Sequence, residues 1–343
     1  MTVRQFLYGG VRLLPAWLSR PLIHRYRGCR DFLSLMRASR YDRVTFARHS
    51  GLFTTASRAR LEARLLKNYH RLEKGLALPQ PRPGFGKSVA ELVLDDMAEY
   101  VRAFGPDRTT TAAFRTLTEY AGFLESTGLS AEWLRKRMAA FPPCTQACGD
   151  AKGGTREVDR SEIQKTLPAD VDAFMQSRHS VRQFAPGQVD ITLISRAVRA
   201  AQFAPSVCNR QSGHVFVVND PEKRRALLKL QNGNSGFGDH SGGLLIVTSS
   251  LESFLTVGER YQAWIDGGLF GMCLLHALHG LGLGACALNW SVEPDVDRRF
   301  KELSGVPESH RIMFLVAVGH LLPRFRVAAS ERRELADVLH VIE

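Results

Sequence analysis

"SRHSVRQFAPG", Ser177–Gly187, crowds Arg178, His179, Ser180 and Arg182 into five residues, with apolar Val181 and Phe184 interleaved and Pro186–Gly187 following. A plain surface turn needs no such density of donors. In an extended segment alternate side chains share a side. Arg178, Ser180 and Arg182 would then present two planar forks and a hydroxyl to one oxyanion. Arginine suits that task because its guanidinium matches two oxygens of a phosphate or carboxylate. A solvated basic turn is the competing reading, and the surrounding chain decides between them.

Upstream, "PADVDAFMQSR" reads as a short helix running into the stretch. Downstream, Asp190 caps "ITLISRAVRAAQF", where Ile191, Ile194, Val198 and Ala201 mark one helical face. "APSVCNRQSG" is a turn-rich loop, and "HVFVVND" and "GGLLIVTSS" are strands by their β-branched content. "YQAWIDGGLFGMCLLHALHG" is a helix apolar nearly all round, which belongs in a core or a subunit interface. "GLGACALNW" turns on glycine into a strand, and "RIMFLVAVGH" is another. Helices and strands alternate but several connections are irregular, so the class is α+β rather than doubly wound. Gly280, Gly282 and Gly284 follow a helix with the wrong spacing, which argues against a dinucleotide fingerprint. His276 and His279 sit three apart on the apolar helix with no carboxylate nearby in the sequence, which favours packing over metal binding.

Four pieces in this order, "RHSVRQF", "APSVCNRQSGHVFVV", a long apolar helix into "GLGLGACAL", and a strand ending "VGH" before a basic "SERR" tail, resemble the nitroreductase family of flavoproteins. The resemblance covers about residues 170–343. It implies an FMN-binding domain with a central, mostly antiparallel sheet flanked by helices. The oxyanion would be the FMN phosphate, held by Arg178, His179 and Ser180, with Arg182 closer to the ring and Arg332 or Arg333 completing the site. Pro205, Ser206, Asn209 and Gln211 would form a second wall against the polar edge of the ring. Ser212-Gly213 stands where the family carries a bulkier pair. The turn with Gly282 and Gly284 would let backbone approach the ring, since glycine lacks a Cβ, and Asn232 or Asn234 would reach it too. The resemblance further implies NAD(P)H as co-substrate, ping-pong hydride transfer to a nitroaromatic, quinone or other conjugated acceptor, and a homodimer with flavin in the interface. No metal and no acid–base dyad is demanded. Arg182 would stabilise an anionic reduced ring by its fixed charge.

The rest of the chain lies outside that resemblance. The expected division is a basic amphipathic arm over 1–78, helices and a linker over 79–160, and the FMN-binding domain over 161–343. Charge separates these parts. Residues 1–75 hold 16 Lys+Arg against 4 Asp+Glu, so the whole net charge of +12 sits there and the remaining residues balance at zero. Such asymmetry calls for an anionic partner. "MTVRQFLYGGVRLLPAWLSRPLIHRYRGCR" mixes arginine with Phe6, Leu7, Val11, Leu13, Leu14, Trp17, Leu18, Leu22 and Ile23. Arg12, Pro15 and Arg20 interrupt any run long enough for a secretory signal or a spanning helix. Two readings stay open: an interfacial segment on an anionic membrane, or an arm folded on its own domain. Nucleic acid is the weaker partner, because no aromatic stacking platform is evident.

Leu61, Leu65, Leu66, Tyr69 and Leu72 recur at helical spacing. "LALPQPRPGFGKS" is a loop; its "GFGKS" lacks the earlier glycine of a phosphate loop, Pro81 standing there, and no strand precedes it. Ser88 and Glu91 have capping-box spacing, and residues 141–160 look like a linker. Cys144 and Cys148 form a lone C-x3-C, too little for zinc. Cys208 has no evident base and reads as packing. Scattered cysteines fit a reduced, cytoplasmic protein, with peripheral membrane contact through residues 1–75 as an addition. Three functions compete: an FMN-dependent NAD(P)H oxidoreductase, a specialised biosynthetic flavoprotein of the same fold, and a docking protein with a non-catalytic flavin site.

Overall fold

The computed structural model describes residues 16–141 and 151–342. The apolar residues expected between Phe6 and Leu14 lie outside them, as do Cys144 and Cys148, and so do the side chains of Trp17, Leu18, Leu22 and Ile23.

The amino-terminal region is helical: α1 (Ala16–His49), α2 (Arg58–Leu76), α3 (Lys87–Phe104), α4 (Arg108–Ser126) and α5 (Glu132–Met138). Helices α2 to α5 close over one apolar core that includes Leu65, Tyr69, Leu72, Leu94, Met97, Leu117, Tyr120 and Leu134. The i, i+3, i+4 spacing of Leu61, Leu65, Tyr69 and Leu72 accounts for the buried stripe of α2. The start of α3 departs from the sequence expectation. The helix begins at Lys87 after Gly86 in left-handed backbone (φ 74), and the Ser88–Glu91 capping box does not form. Packing explains it: a Cβ at Gly86 would lie 2.8 Å from Leu72 Cδ2. Residues 151–154, expected within a linker, are docked. Ala151 is buried, and a Cβ on Gly153 would meet the Ala112 carbonyl at 2.1 Å. The Gly154 amide donates to Thr116 Oγ1 at 2.9 Å.

Beyond Arg160–Gln164 (α6) and Val171–Ser177 (α7), the chain builds a five-stranded antiparallel sheet. Its elements are β1 (Phe184–Ala185), α8 (Ile191–Ala201), β2 (Gly213–Val218), α9 (Pro221–Leu228), β3 (Gly243–Ser250), α10 (Gln262–Gly280), β4 (Leu283–Asn289), α11 (Pro294–Ser304) and β5 (His310–Leu321). The fold is α+β, as the sequence implied. β5 pairs with β3 from Gly243↔Val318 to Ser250↔His310, with β4 from Leu283↔His320 to Asn289↔Phe314, and with β1 beyond the end of β3. β3 is buried throughout, and its side chains alternate between two cores. Leu244 and Ile246 face one core with Phe300 and Leu315. Leu245 and Val247 face the other, under α8 and α10, with Ile194, Phe270 and Leu274.

The two regions are joined by specific contacts. Ser34 Oγ donates to Glu293, Arg37 pairs with Asp295, and the Tyr41 hydroxyl donates to Asp297 at 2.7 Å. Asp295 and Asp297 lie in the first turn of α11, where carboxylates complement the helix dipole. Ser57 caps α2 by accepting from the Arg60 amide and donates its own proton to Glu252.

Candidate functional site

The strip from Arg178 to Arg182 lies along the outer edge of β4. Ser180 bridges Ala285 in parallel, and the Val181 amide donates to the Ala285 carbonyl at 3.0 Å. Val181 is buried, Arg178 and Ser180 are half-buried, and Arg182 is exposed. The Arg182 guanidinium turns back toward the Ser180 carbonyl at 3.5 Å and lies 5.9 Å from the Phe237 ring. Both guanidiniums are felt at the Cys286 thiol: burial raises its pKa, and Arg182 and then Arg178 pull it down. The stretch thus sets two positive charges and a hydroxyl along the edge of β4.

His279 was assigned to packing, and the structure puts it beside this strip. Its Nε2 lies 2.8 Å from Ser177 Oγ. Burial lowers its pKa, and the charges of Arg178, His179 and His276 lower it further, against a smaller opposing pull from a backbone hydrogen bond to Phe174. No sequence signal shows this, because the juxtaposition depends on how α10 packs.

The other candidates fall as follows. Gly282 is left-handed (φ 74) and a Cβ there would meet nothing within 4 Å. The missing Cβ of Gly284 is taken up by the protein itself, since one there would sit 3.0 Å from Leu321 Cδ2 and 3.1 Å from Val181 Cγ1. Asn232 is exposed in the loop that carries Phe237. Asn234 is committed to that loop: its amide donates to the Leu228 and Gln231 carbonyls. The carboxy-terminal segment returns past the strip where the Arg326 amide donates to Gln183 Oε1 at 3.0 Å. Arg332 and Arg333 follow, both exposed, with Arg332 Nη1 donating to the Ser330 carbonyl.

Pro205, Ser206, Asn209 and Gln211 gather elsewhere, in the loop leading to the opposite edge strand, β2. Three non-glycine residues of this loop have left-handed backbone, Cys208 (φ 50), Asn209 (φ 52) and Gln211 (φ 51). Asparagine tolerates that region best, and the other two carry strain that its surroundings must hold. Two anchors do so. At the start, the Val207 amide donates to Asp266, which is 2 % exposed on α10. At the end, the Arg210 guanidinium is fully buried, pairs with Glu259, and donates to the Ser253 carbonyl at 2.7 Å. Burial alone would raise the Glu259 pKa, but hydrogen bonds from Arg210 and the Leu255 amide outweigh it and hold the carboxyl below its usual range. Ser206 Oγ accepts from the Gln211 amide at 2.9 Å and pins the turn.

The two clusters stand far apart in one chain. Ser180 lies outside β4, and Gln211 leads into β2, so β4, β5, β3 and β2 lie across the gap. Four spacings at about 4.8 Å each give about 19 Å. Helix α10 agrees: Asp266 holds one cluster and His279 the other, and thirteen residues of helix span about 20 Å.

A cavity of about 290 Å³ adjoins the second cluster, between α2 and the sheet, lined by Glu62, Ala63, Gln211, His214, Glu252 and His310 among others. The His214 and His310 rings meet edge to face at 4.7 Å, and Thr248 Oγ1 lies 2.9 Å from His310 Nδ1. Burial, then the charges of His214 and Lys301, lowers the His310 pKa from 6.5 to about 3. The folded state therefore rejects a proton that the unfolded chain accepts. Stability from this group is full above pH 6.5 and drains as pH falls from there toward about 3. The loss is about 1.4 kcal/mol per pH unit, or about 2.7 kcal/mol at pH 4.5. Urea unfolding at pH 7 and pH 4.5 measures it; the His310→Phe protein is expected to lose most of that difference.

Comparison with known proteins gives a family match within the same half of the chain. The nitroreductase family model matches residues 175–235, a span that holds the strip and the second cluster. An NADH dehydrogenase of Thermus thermophilus is 27 % identical over 46 % of this chain and 90 % of its own length. Among solved structures, an FMN-dependent nitroreductase of Clostridium difficile aligns at 20 % identity and TM-score 0.42, covering 50 % of this chain and 98 % of its own. A nitroreductase with bound FMN from Bacteroides fragilis aligns at 20 % identity and TM-score 0.41, covering 51 % and 100 %. The amino-terminal half lies outside the family match. Residues 175–235 are thus similar to the nitroreductase family, and the chain is distantly similar, at 24–27 % identity, to proteins described as NADH dehydrogenases or nitroreductases.

Proposed function

We propose that the chain is an FMN-dependent oxidoreductase that draws on NAD(P)H and reduces a nitroaromatic, quinone or other conjugated acceptor, with its flavin seat completed by a second copy. One observation carries the reading: Arg178, Ser180 and Arg182 lie on one short segment along the outer edge of β4, where Ser180 bridges Ala285. Two fixed cations and a hydroxyl fit a phosphate monoester, and Gly282 leaves the backbone beside them open to a ring. FMN, when bound, supplies the hydride chemistry. The chain's own part is to grip the phosphate, aim the ring, and hold positive charge near it through Arg182.

A second copy follows from the separation of the clusters. Each chain carries one wall at each end of α10. Helix α10 exposes Trp264, Ile265, Leu269 and Met272 at 40 % or more, and Tyr261 is exposed just before it. A twofold partner seated on this apolar face would bring the strip of one chain toward the Pro205–Gln211 loop of the other. Replacing Ile265 and Leu269 together with glutamate is expected to yield a monomer that loses flavin; sedimentation velocity with absorbance at the flavin band reads both.

The deciding experiment is the visible spectrum of purified protein soaked with FMN and desalted. Flavin bands that bleach on adding reduced nicotinamide are expected. Colourless protein overturns the reading. Poor turnover with every generic quinone and nitro compound, with flavin bound, would favour a specialised biosynthetic flavoprotein.

A further inference from the structure

Between Ser34 and Phe46, helix α1 is held to the body by a set of named contacts. Ser34, Arg37 and Tyr41 reach Glu293, Asp295 and Asp297, and Thr45 is buried on the same side. At 3.6 residues per turn, the opposite side carries Phe32, Met36, Arg40 and Arg43, flanked by Leu33 and Leu35. Phe32 is 61 % exposed, Leu33 68 %, Leu35 60 % and Met36 47 %, and Arg40 and Arg43 are exposed among them. Large apolar side chains held in water beside guanidiniums need a partner that takes both. The net charge of this region is strongly positive, +12 over residues 1–75. Among the described residues no helix is long and apolar enough to cross a membrane, which leaves contact from one side.

We infer that the outward side of α1 docks on an anionic lipid bilayer, with Phe32, Leu33 and Met36 entering the headgroup boundary and Arg40 and Arg43 on lipid phosphates. Arginine interleaved with aromatic and aliphatic residues is the chemistry of such contacts. A second copy fits less well, because it would press Arg40 and Arg43 against like charges. The placement is independent of the flavin reading.

Flotation of the full chain tests it, using phosphatidylglycerol–phosphatidylcholine vesicles and pure phosphatidylcholine vesicles at low and high salt. The protein is expected to float with the anionic vesicles at low salt and to be released by high salt. The Arg40→Glu/Arg43→Glu protein is expected to partition at least about 30-fold less, at about 1 kcal/mol per basic residue. Phe32→Ser/Met36→Ser is expected to reduce flotation as well. Circular dichroism and thermal unfolding show that the variants are folded. Three results overturn the inference: no flotation with anionic vesicles at low salt, variants that float like the parent, or capture by polyglutamate without vesicle binding.

Discussion

Replacing Arg178 and Arg182 together with alanine is expected to weaken FMN binding by about 10²–10⁴-fold while the protein stays folded. Each charge-assisted hydrogen-bonding group on a phosphate contributes about 1.5–3 kcal/mol, and each 1.4 kcal/mol is a factor of ten. Folding should be spared because Arg182 is exposed and its one protein hydrogen bond is a long one to Ser180. The strip itself is held by Val181, which is buried and bonded to Ala285 through its backbone. Fluorescence titration with FMN measures the affinity, and thermal unfolding of the apoprotein controls for stability. An unchanged dissociation constant would remove the phosphate from this strip and with it the assignment of the flavin seat. Arg178→Lys/Arg182→Lys, which keeps the charge but not the fork, is expected to fall between the two.

Glu259→Ala is expected to lower the unfolding free energy by about 3–5 kcal/mol, the usual result of stranding one member of a buried ion pair. The Arg210 side chain is 0 % exposed and Glu259 15 %, so water cannot replace the lost partner. Glu259 also accepts the Leu255 amide at 2.7 Å and the Thr256 amide at 3.1 Å, both of which lose their acceptor. The damage should spread to the left-handed residues at 208, 209 and 211, since Arg210 sits in their midst. Removing both charges, as Arg210→Met/Glu259→Leu, is expected to restore part of the stability. Equilibrium urea denaturation of the three proteins gives the comparison. A cost below about 1 kcal/mol for the single replacement would mean that the pair is not what holds the loop.

What could be read without the structure depended on locality. The alternation of Leu244, Leu245, Ile246 and Val247 and the helical period from Leu61 to Leu72 are local, and both marked their elements. The dense donors of Arg178–Arg182 were legible for the same reason. The Ser88 box failed because Leu72, from another helix, packs where the Gly86 Cβ would be. Residues 151–154 looked like linker because their anchors, Ala112 and Thr116, come from a different element. The neighbours of His279 and Gly284 could not be read from sequence, because tertiary packing puts the first beside Ser177 and the second against Val181 and Leu321. The distance between the two clusters was invisible, because it is set by which strands pair.

β5 spans twelve residues, ends at Leu321, and hydrogen-bonds three other strands. It is also the last strand among the described residues. A ribosome must therefore pass residue 321 before this sheet can assemble. Until then β3, buried along its length and apolar from Leu244 to Val247, has only β2 as a neighbour. The amino-terminal helices draw on contacts among close neighbours and can form while synthesis continues. The nascent chain would emerge with a finished helical head and an unfinished sheet, so a stop codon before residue 310 should leave a product that keeps the first and aggregates through the second.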